Sequence, residues 1–298
     1  MKLSIVTISQ NTGTGLRDTV HSVLMQSRLP DECVIQDGAS TDDSVETLQD
    51  WLEWRWGGAE VGLSGVLSSI ARRATGEASA KTEGRRSEVG CRVWGQDCNV
   101  RIRSEVDGGI YAALNRGIAR AEGDVIGLLH AGDAYARSDV LAMVMDAFAD
   151  GAEAVYGDLQ YIKYIDGNIR LVRHWRAGAY DCSRLRWGWM PPHPTLFLKR
   201  EVYARAAVAD GVFFDPAFLC AGDYDFMLRV LSQLQVPPVY IPRVLVRMQT
   251  GGISNRNFGN LVQKSREDWV AIRQNKIGSI HTLLAKNLRK VGQFRVTI

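Results

Sequence analysis

Features that would mark a specialised class of protein are scarce in this chain. Cysteine is rare: five residues in 298, Cys33, Cys91, Cys98, Cys182 and Cys220. The count is odd and none forms a C-x-x-C pair, so neither a disulfide framework nor a cysteine-rich zinc site is implied. Charge of one sign is also lacking. Thirty-six Lys and Arg against 33 Asp and Glu leave a net charge of +3, which gives no electrostatic footprint for nucleic acid, and no such partner is expected. No stretch approaches the roughly 20 apolar residues of a membrane span. The opening run MKLSIVTISQN stops at Gln10 and Asn11, too short for a signal peptide. A cytoplasmic, reduced setting is therefore expected.

What is present is an ordinary globular composition, 46% hydrophobic and 23% charged. That excludes a disordered, collagenous or coiled-coil chain. The length suits two average domains or one large α/β domain, with roughly three quarters of the unfolded surface buried in either case.

Leu3 to Ile8 is an apolar run without alternation, as expected for a strand buried on both faces. A helical stretch from about Leu16 to Gln26 follows, then a second short strand, Glu32 to Gln36, that ends at Asp37. Val45 to Trp54 reads as helix. This β-α-β-α rhythm predicts a parallel sheet with crossover helices, and ligands at the carboxyl ends of the strands, where Ser9, Asn11 and Asp37 fall. Residues 57 to about 98 break the pattern. They are rich in Gly, Ser, Ala and Arg, with a candidate helix from Val61 to Arg73 and no strand period before Asn99 to Arg103, and read as an insertion with a mobile centre. Further on, a helix reaching about Ala121 precedes a buried strand from Asp124 to Leu129. Ser138 is placed to cap a helix to Phe148. Ala154–Asp158 and Gln160–Tyr164 read as two strands, and Asp166 to Asn168 as a hairpin turn. From Leu261 to Ile298, eight Lys and Arg oppose two acids.

Acids stand at the ends of apolar strands: Asp37 after the second, Asp133 after Leu128-Leu129. Asp223 sits just ahead of an apolar helical run. A carboxylate at such a strand end can hold a ribose hydroxyl, a base edge or a divalent cation. Taken singly, Asp37-Gly38 could equally be a plain turn and Asp133 a plain loop residue. There is no G-x-S-x-G elbow, no G-x-x-x-x-G-K-[ST] loop, and no complete G-x-G-x-x-G, since Gly13 and Gly15 lack a third glycine.

The ordered set VTISQN, QDGASTD, SEVDGGIYAALNRGI, LLHAGD, AGDYDFMLR and GGIS resembles family 2 glycosyltransferases of the GT-A fold, and more narrowly bacterial transferases of colanic-acid-like surface polysaccharides. The resemblance covers roughly residues 3–56 and 99–258. It implies a Rossmann-like mixed α/β sheet forming one GT-A domain over residues 1–258, with a basic helical extension over 259–298. It implies transfer of a sugar from a nucleotide-diphospho-sugar, such as a UDP-sugar, to a hydroxyl, commonly with inversion and with Mn²⁺ or Mg²⁺ on the diphosphate.

Carried onto this sequence, the resemblance assigns Asp37, with Ser9, Asn11 and Ser40, to the donor nucleotide. Asp107, Tyr111, Asn115 and Arg116 fall in the nucleotide and sugar pocket; Asn115 and Arg116 could instead be ordinary helix-surface residues. Asp133 matches the last acid of the D-x-D metal motif. The chain departs from that motif by carrying His130 or Ala131 at the first acid and Gly132 beside Asp133. A site using Asp133 with His130 or His193 would favour Mn²⁺, because Mg²⁺ prefers oxygen ligands; His130 could also be a hydrogen-bonded pocket histidine.

Asp223 matches the general base, Gly222 stands where a preceding acid often occurs, and Asp225 is expected to serve its helix's first turn. His193, Trp187 and Trp189 fall on the acceptor side, the tryptophans either stacking on a sugar or packing in the core. Gly251 to Ser254 resembles a loop near the diphosphate. The expected partners are a nucleotide-sugar donor and a saccharide or lipid-linked saccharide acceptor. The basic C-terminal segment, with Leu283, Leu284, Leu288 and Val291, could be a solvated helix packed on the catalytic domain, a dimer contact or a face resting on the inner surface of the plasma membrane. Two rivals are a sugar nucleotidyltransferase, against which stands the missing Gly-rich basic loop, and a non-catalytic nucleotide-sugar-binding relative.

Overall fold

The computed structural model describes residues 1–56, 85–93, 95–166, 168–250 and 258–292. Leu3–Ser9 (β1) and Glu32–Asp37 (β2) bury nearly every side chain, because helices cover both faces of their sheet. Between them Gly15–Leu24 (α1) buries Leu16, Val20, Val23 and Leu24 at helical spacing. Ser44–Trp56 (α2) follows and buries Val45, Leu48 and Leu52. β1 and β2 run parallel with Ser9 beside Asp37.

Arg85–Val93 (β3) and Gln96–Ser104 (β4) form an antiparallel hairpin, and β4 joins β2 in parallel with Ser104 opposite Asp37. This corrects the sequence reading, which placed residues up to about 98 in an insertion and found no strand before Asn99. The two-residue period is there, with Val89, Cys91 and Val93 buried on one side; Arg86, Glu88, Gly90 and Arg92 on the other side hide it. The candidate helix at Val61 to Arg73 lies outside the described residues.

Ile110–Arg120 (α3) leads to Val125–Leu128 (β5), which pairs parallel with β1 on its other side. Beyond β5 the sheet turns mixed. Asp133–Tyr135 (β6), Val140–Ala149 (α4), Ala154–Ile165 (β7), Asn168–Trp175 (β8) and Phe197–Lys199 (β9) follow. The expected pair of strands at 154–164 is one continuous strand, and Asp139 rather than Ser138 precedes α4. Arg200–Ala206 (α5), Gly222–Leu228 (α6) and Val239–Gln249 (β10) complete this half. The sheet order is β3-β4-β2-β1-β5-β9-β7-β10-β6, with β8 on β7.

One core layer joins α1, α2 and α4 to the sheet through Leu16, Leu48, Val144 and Phe148; the opposite layer packs α3, α5 and α6 through Leu114, Tyr203, Phe226 and Leu228. Phe258–Gln274 (α7) packs against α6, and Ile280–Gly292 (α8) against α7 and a 3₁₀ turn at Cys182–Trp187. Among the described residues, no helix is long and apolar enough to cross a membrane.

Candidate active site

Parallel register brings Ser9, Asp37 and Ser104 side by side at the carboxyl ends of β1, β2 and β4. The Asp37 carboxylate is fully buried. It accepts hydrogen bonds from the Ser40 backbone N–H at 2.8 Å, the Ser40 hydroxyl at 2.5 Å and the Ser104 hydroxyl at 2.7 Å. Three donors stabilise a buried charge that would otherwise cost several kcal/mol. Asn11, with a positive φ of 51°, links this loop to β1. Its Oδ1 accepts from the Thr41 N–H at 2.8 Å, and its own N–H donates to Ser40 Oγ at 2.7 Å. Ser9 Oγ lies 2.9 Å from Thr12 Oγ1. Ser9, Asn11, Asp37 and Ser40 thus form one connected loop system, and Ser104 joins it.

Asp107 lies against the same loop. A Cβ added at Gly38 would stand 2.9 Å from Asp107 Oδ2, so the Asp107 carboxylate comes close against the backbone of this loop. Asp107 Oδ1 accepts from the Gly109 N–H at 3.0 Å just ahead of α3. In the first turn of α3, Tyr111 stacks on Phe214 with ring centroids 5.9 Å apart, and its hydroxyl donates to Asp223 Oδ1 over 3.4 Å. Gly222 makes room for that ring, since a Cβ there would come within 2.9 Å of it.

Asp223, in the first turn of α6, is half-buried. Burial alone would raise its pKa, but Lys264, His193, Lys286 and a hydrogen bond from the Tyr224 N–H outweigh burial and hold it below the usual carboxylate value. It is therefore ionised at neutral pH and able to accept a proton. His193, in the 3₁₀ turn His193–Thr195, packs edge-on against Phe214 at 5.6 Å and lies 6.2 Å from His130. Burial depresses both imidazoles, His130 to about 4, so both are neutral at pH 7. His130 Nδ1 is buried without a hydrogen-bond partner.

Asp133 begins β6 next to His130, and burial pushes its carboxyl up to about 8 against a single opposing hydrogen bond from the Gln249 N–H. A buried carboxyl short of donors and an unpartnered imidazole nitrogen three residues away fit a cation site with two protein ligands. Among the described residues no cluster of three or more His, Cys, Asp or Glu converges.

The sequence reading passed over the contribution of α7. Glu267, 6% exposed, accepts from the N–H groups of Leu219, Cys220 and Ala221 at 2.7 to 3.1 Å, immediately ahead of α6. Lys264 donates to the Cys220 carbonyl at 3.2 Å. Burial lowers the Lys264 pKa, yet Asp223, Asp268, Cys220 and Glu267 more than restore it, so it stays charged beside the base candidate. Asp225 bonds Arg229 at 3.0 Å and Asn275 at 2.7 Å. The sequence signal was the spacing of Lys264 and Glu267, one helical turn apart near the start of the basic segment.

Two assignments are corrected. Asn115 is buried, and its amide is tied to the Phe213 and Phe214 backbone at 2.7 to 3.0 Å, so it shapes the wall behind Tyr111 rather than facing a donor. Trp189 is 4% exposed, its indole N–H bonds the Ala177 carbonyl at 2.8 Å and its ring packs on Tyr156; it belongs to the core and cannot stack on a sugar. Arg116 is exposed and pairs with Glu105 at 3.4 Å and the Val106 carbonyl at 2.8 Å. Trp187 is exposed beside His281 of α8. Gly251 to Ser254 lie outside the described residues.

An open mixed sheet with a loop system at the ends of its parallel strands is the GT-A glycosyltransferase architecture, and the comparisons agree. The profile of glycosyl transferase family 2 matches residues 4–79 and 90–213, more than half of the chain, which belongs to that family and is a glycosyltransferase. An uncharacterized glycosyltransferase of Mycobacterium tuberculosis, Rv1514c, is 27% identical over 276 residues, covering 87% of this chain and 81% of that protein. Among solved structures, residues 1–349 of S. aureus TarS superpose with a TM-score of 0.56 at 14% identity, covering 99% of this chain and 73% of that one. The mannosyltransferase PcManGT from Pyrobaculum calidifontis, in complex with GDP-Man and Mn²⁺, gives 0.54 at 16% identity, covering 96% and 68%. The chain spans less than half of a longer TarS structure, 43%.

Proposed function

We propose that this glycosyltransferase moves a sugar from a nucleoside-diphospho-sugar to a hydroxyl of a saccharide or lipid-linked saccharide acceptor during surface-polysaccharide assembly. Asp223 acts as the base. The observation that carries this reading is an ionised, half-buried carboxylate held between Tyr111 and the charge of Lys264, with the Asp37 loop and Asp107 reached along α3. In the reaction the acceptor O–H proton passes to Asp223, and the acceptor oxygen attacks the anomeric carbon. The bond from that carbon to the diphosphate oxygen breaks, its electron pair leaving with the diphosphate. A single displacement of this kind inverts the anomeric centre.

Asp37 and its serine partners, with Ser9, Asn11 and Asp107, hold the nucleotide end. UDP is the first nucleotide to test, because TarS has been crystallised with UDP and with UDP-GlcNAc. Asp133 and His130 would hold a divalent cation, Mn²⁺ in preference to Mg²⁺, completed by donor phosphate and water. Such an ion, when bound, neutralises charge on the departing diphosphate.

Release of nucleoside diphosphate from a panel of nucleotide-sugars, with Mn²⁺ and a saccharide acceptor, tests the reading. Asp223→Asn is expected to lower turnover by about 10²–10⁴-fold while leaving donor binding intact. Turnover equal to wild type in that variant removes Asp223 as the base.

A further inference from the structure

Helix α8 is built inside out. Ile280, Leu284 and Leu288 recur at i, i+4 and i+8 along one face and are 55%, 58% and 71% exposed. The opposite face buries Thr282 and Lys286 instead. Lys286 Nζ lies 2.5 Å from Asp268 and 3.4 Å from the Tyr224 ring centroid, and the Thr282 hydroxyl donates to the Arg186 carbonyl at 2.7 Å. Polar anchors therefore set the rotation of α8 and hold its apolar ridge outward, the reverse of an ordinary surface helix.

The ridge does not stand alone. Trp187 is half exposed beside it, its ring 5.8 Å from His281 and its carbonyl accepting from Arg289 Nε at 2.9 Å. Between α7 and α8 runs a groove of about 440 Å³ lined by Val262, Ser265, Arg266, Trp269 and Leu283. The surrounding charge is mostly positive, with Asp181 the exposed acid at the start of the adjoining 3₁₀ turn. Arg186, Arg273, Lys276 and Arg289 are exposed, and no acid occurs from Asn275 to Gly292. Contiguous exposed apolar groups rimmed by charge mark an interaction surface.

We propose that this face docks the protein on an anionic lipid bilayer. Ile280, Leu284 and Leu288 enter the boundary between headgroups and acyl chains, Trp187 sits at the interface, and the arginines meet lipid phosphates. Charge decides between this occupant and a second copy of the chain. A two-fold contact would set the same cation-rimmed patch against itself, whereas an anionic surface complements it. The inference stands on the geometry of α8 and does not depend on the proposed reaction.

Co-sedimentation of the full chain with vesicles of phosphatidylcholine alone, or with about 30% phosphatidylglycerol, tests it. Wild type is expected to pellet with the anionic vesicles and to stay in solution with the neutral ones. Leu284→Ser/Leu288→Ser is expected to weaken that partition roughly a hundredfold with an unchanged melting temperature, since both side chains are exposed. The inference fails if wild type ignores anionic vesicles or if the double variant binds as tightly. It also fails if light scattering shows a wild-type dimer that the double variant splits while neither form binds vesicles.

Discussion

Asp223, under the positive charge of Lys264, is the group on which the proposed chemistry turns. Because Lys264, His193 and Lys286 hold Asp223 below its ordinary value, the base stays ionised into acid solution. The acid limb of kcat/KM is therefore expected below the usual carboxylate range. Lys264→Gln removes the first of those charges and is expected to move the limb to higher pH; an unmoved limb would show that Lys264 does not act on the base. Gly222 offers a second test. Gly222→Ala drives a Cβ into the Tyr111 ring and is expected to lower kcat at least tenfold and stability by about 1–3 kcal/mol, read by initial rates and denaturant melts. That Asp37 and Asp223 stand at element boundaries was legible in the sequence, and Asp107 was reached through the family resemblance. The surroundings of Asn115 and Trp189 were not legible. On an amphipathic helix or in an aromatic loop, the side that a residue faces is set by neighbours far away in sequence, here Phe214 and Ala177.

At the scale of elements, α7 does for α6 what a capping side chain does locally: Glu267 satisfies three N–H groups ahead of the helix that carries Asp223. Burial raises the Glu267 pKa, but the hydrogen bonds from Gln263 and from the Cys220, Leu219 and Ala221 N–H groups outweigh it, and the net shift is downward. A lowered folded-state value means stability that is fully present above the unfolded value, near 4.5, and lost as pH falls through the folded one. Glu267→Gln is therefore expected to lower the melting temperature by several degrees at pH 7. The gap to wild type should shrink below about pH 4.5; a constant gap across that range would contradict the linkage. Helices α1 to α4 were readable from apolar spacing. Strand β3 was not, because its outer face carries Arg86, Glu88, Gly90 and Arg92, which read as loop until the buried Val89, Cys91 and Val93 are seen opposite them.

Across the whole molecule, the parallel half of the sheet was foreseeable and the mixed half was not. Crossover helices fix β1, β2, β4 and β5 in parallel, and with them the alignment of Ser9, Asp37 and Ser104 at one end. The antiparallel insertion of β9 between β5 and β7, and the pairing of β6 with β10, depend on strands far apart in sequence. That mixed half carries Asp133, which places the candidate cation site where the two halves meet. The proposed reaction has the two halves bind one ligand jointly, with nucleotide at the Asp37 loop and diphosphate, through a cation, at Asp133. Isothermal titration of UDP into wild type and Asp133→Ala, each with Mn²⁺ and with EDTA, measures that coupling directly. The account predicts binding to wild type that weakens at least tenfold in EDTA, and no response of Asp133→Ala to Mn²⁺. Equal affinity with Mn²⁺ and with EDTA in wild type, or an undiminished Mn²⁺ response in Asp133→Ala, would contradict it.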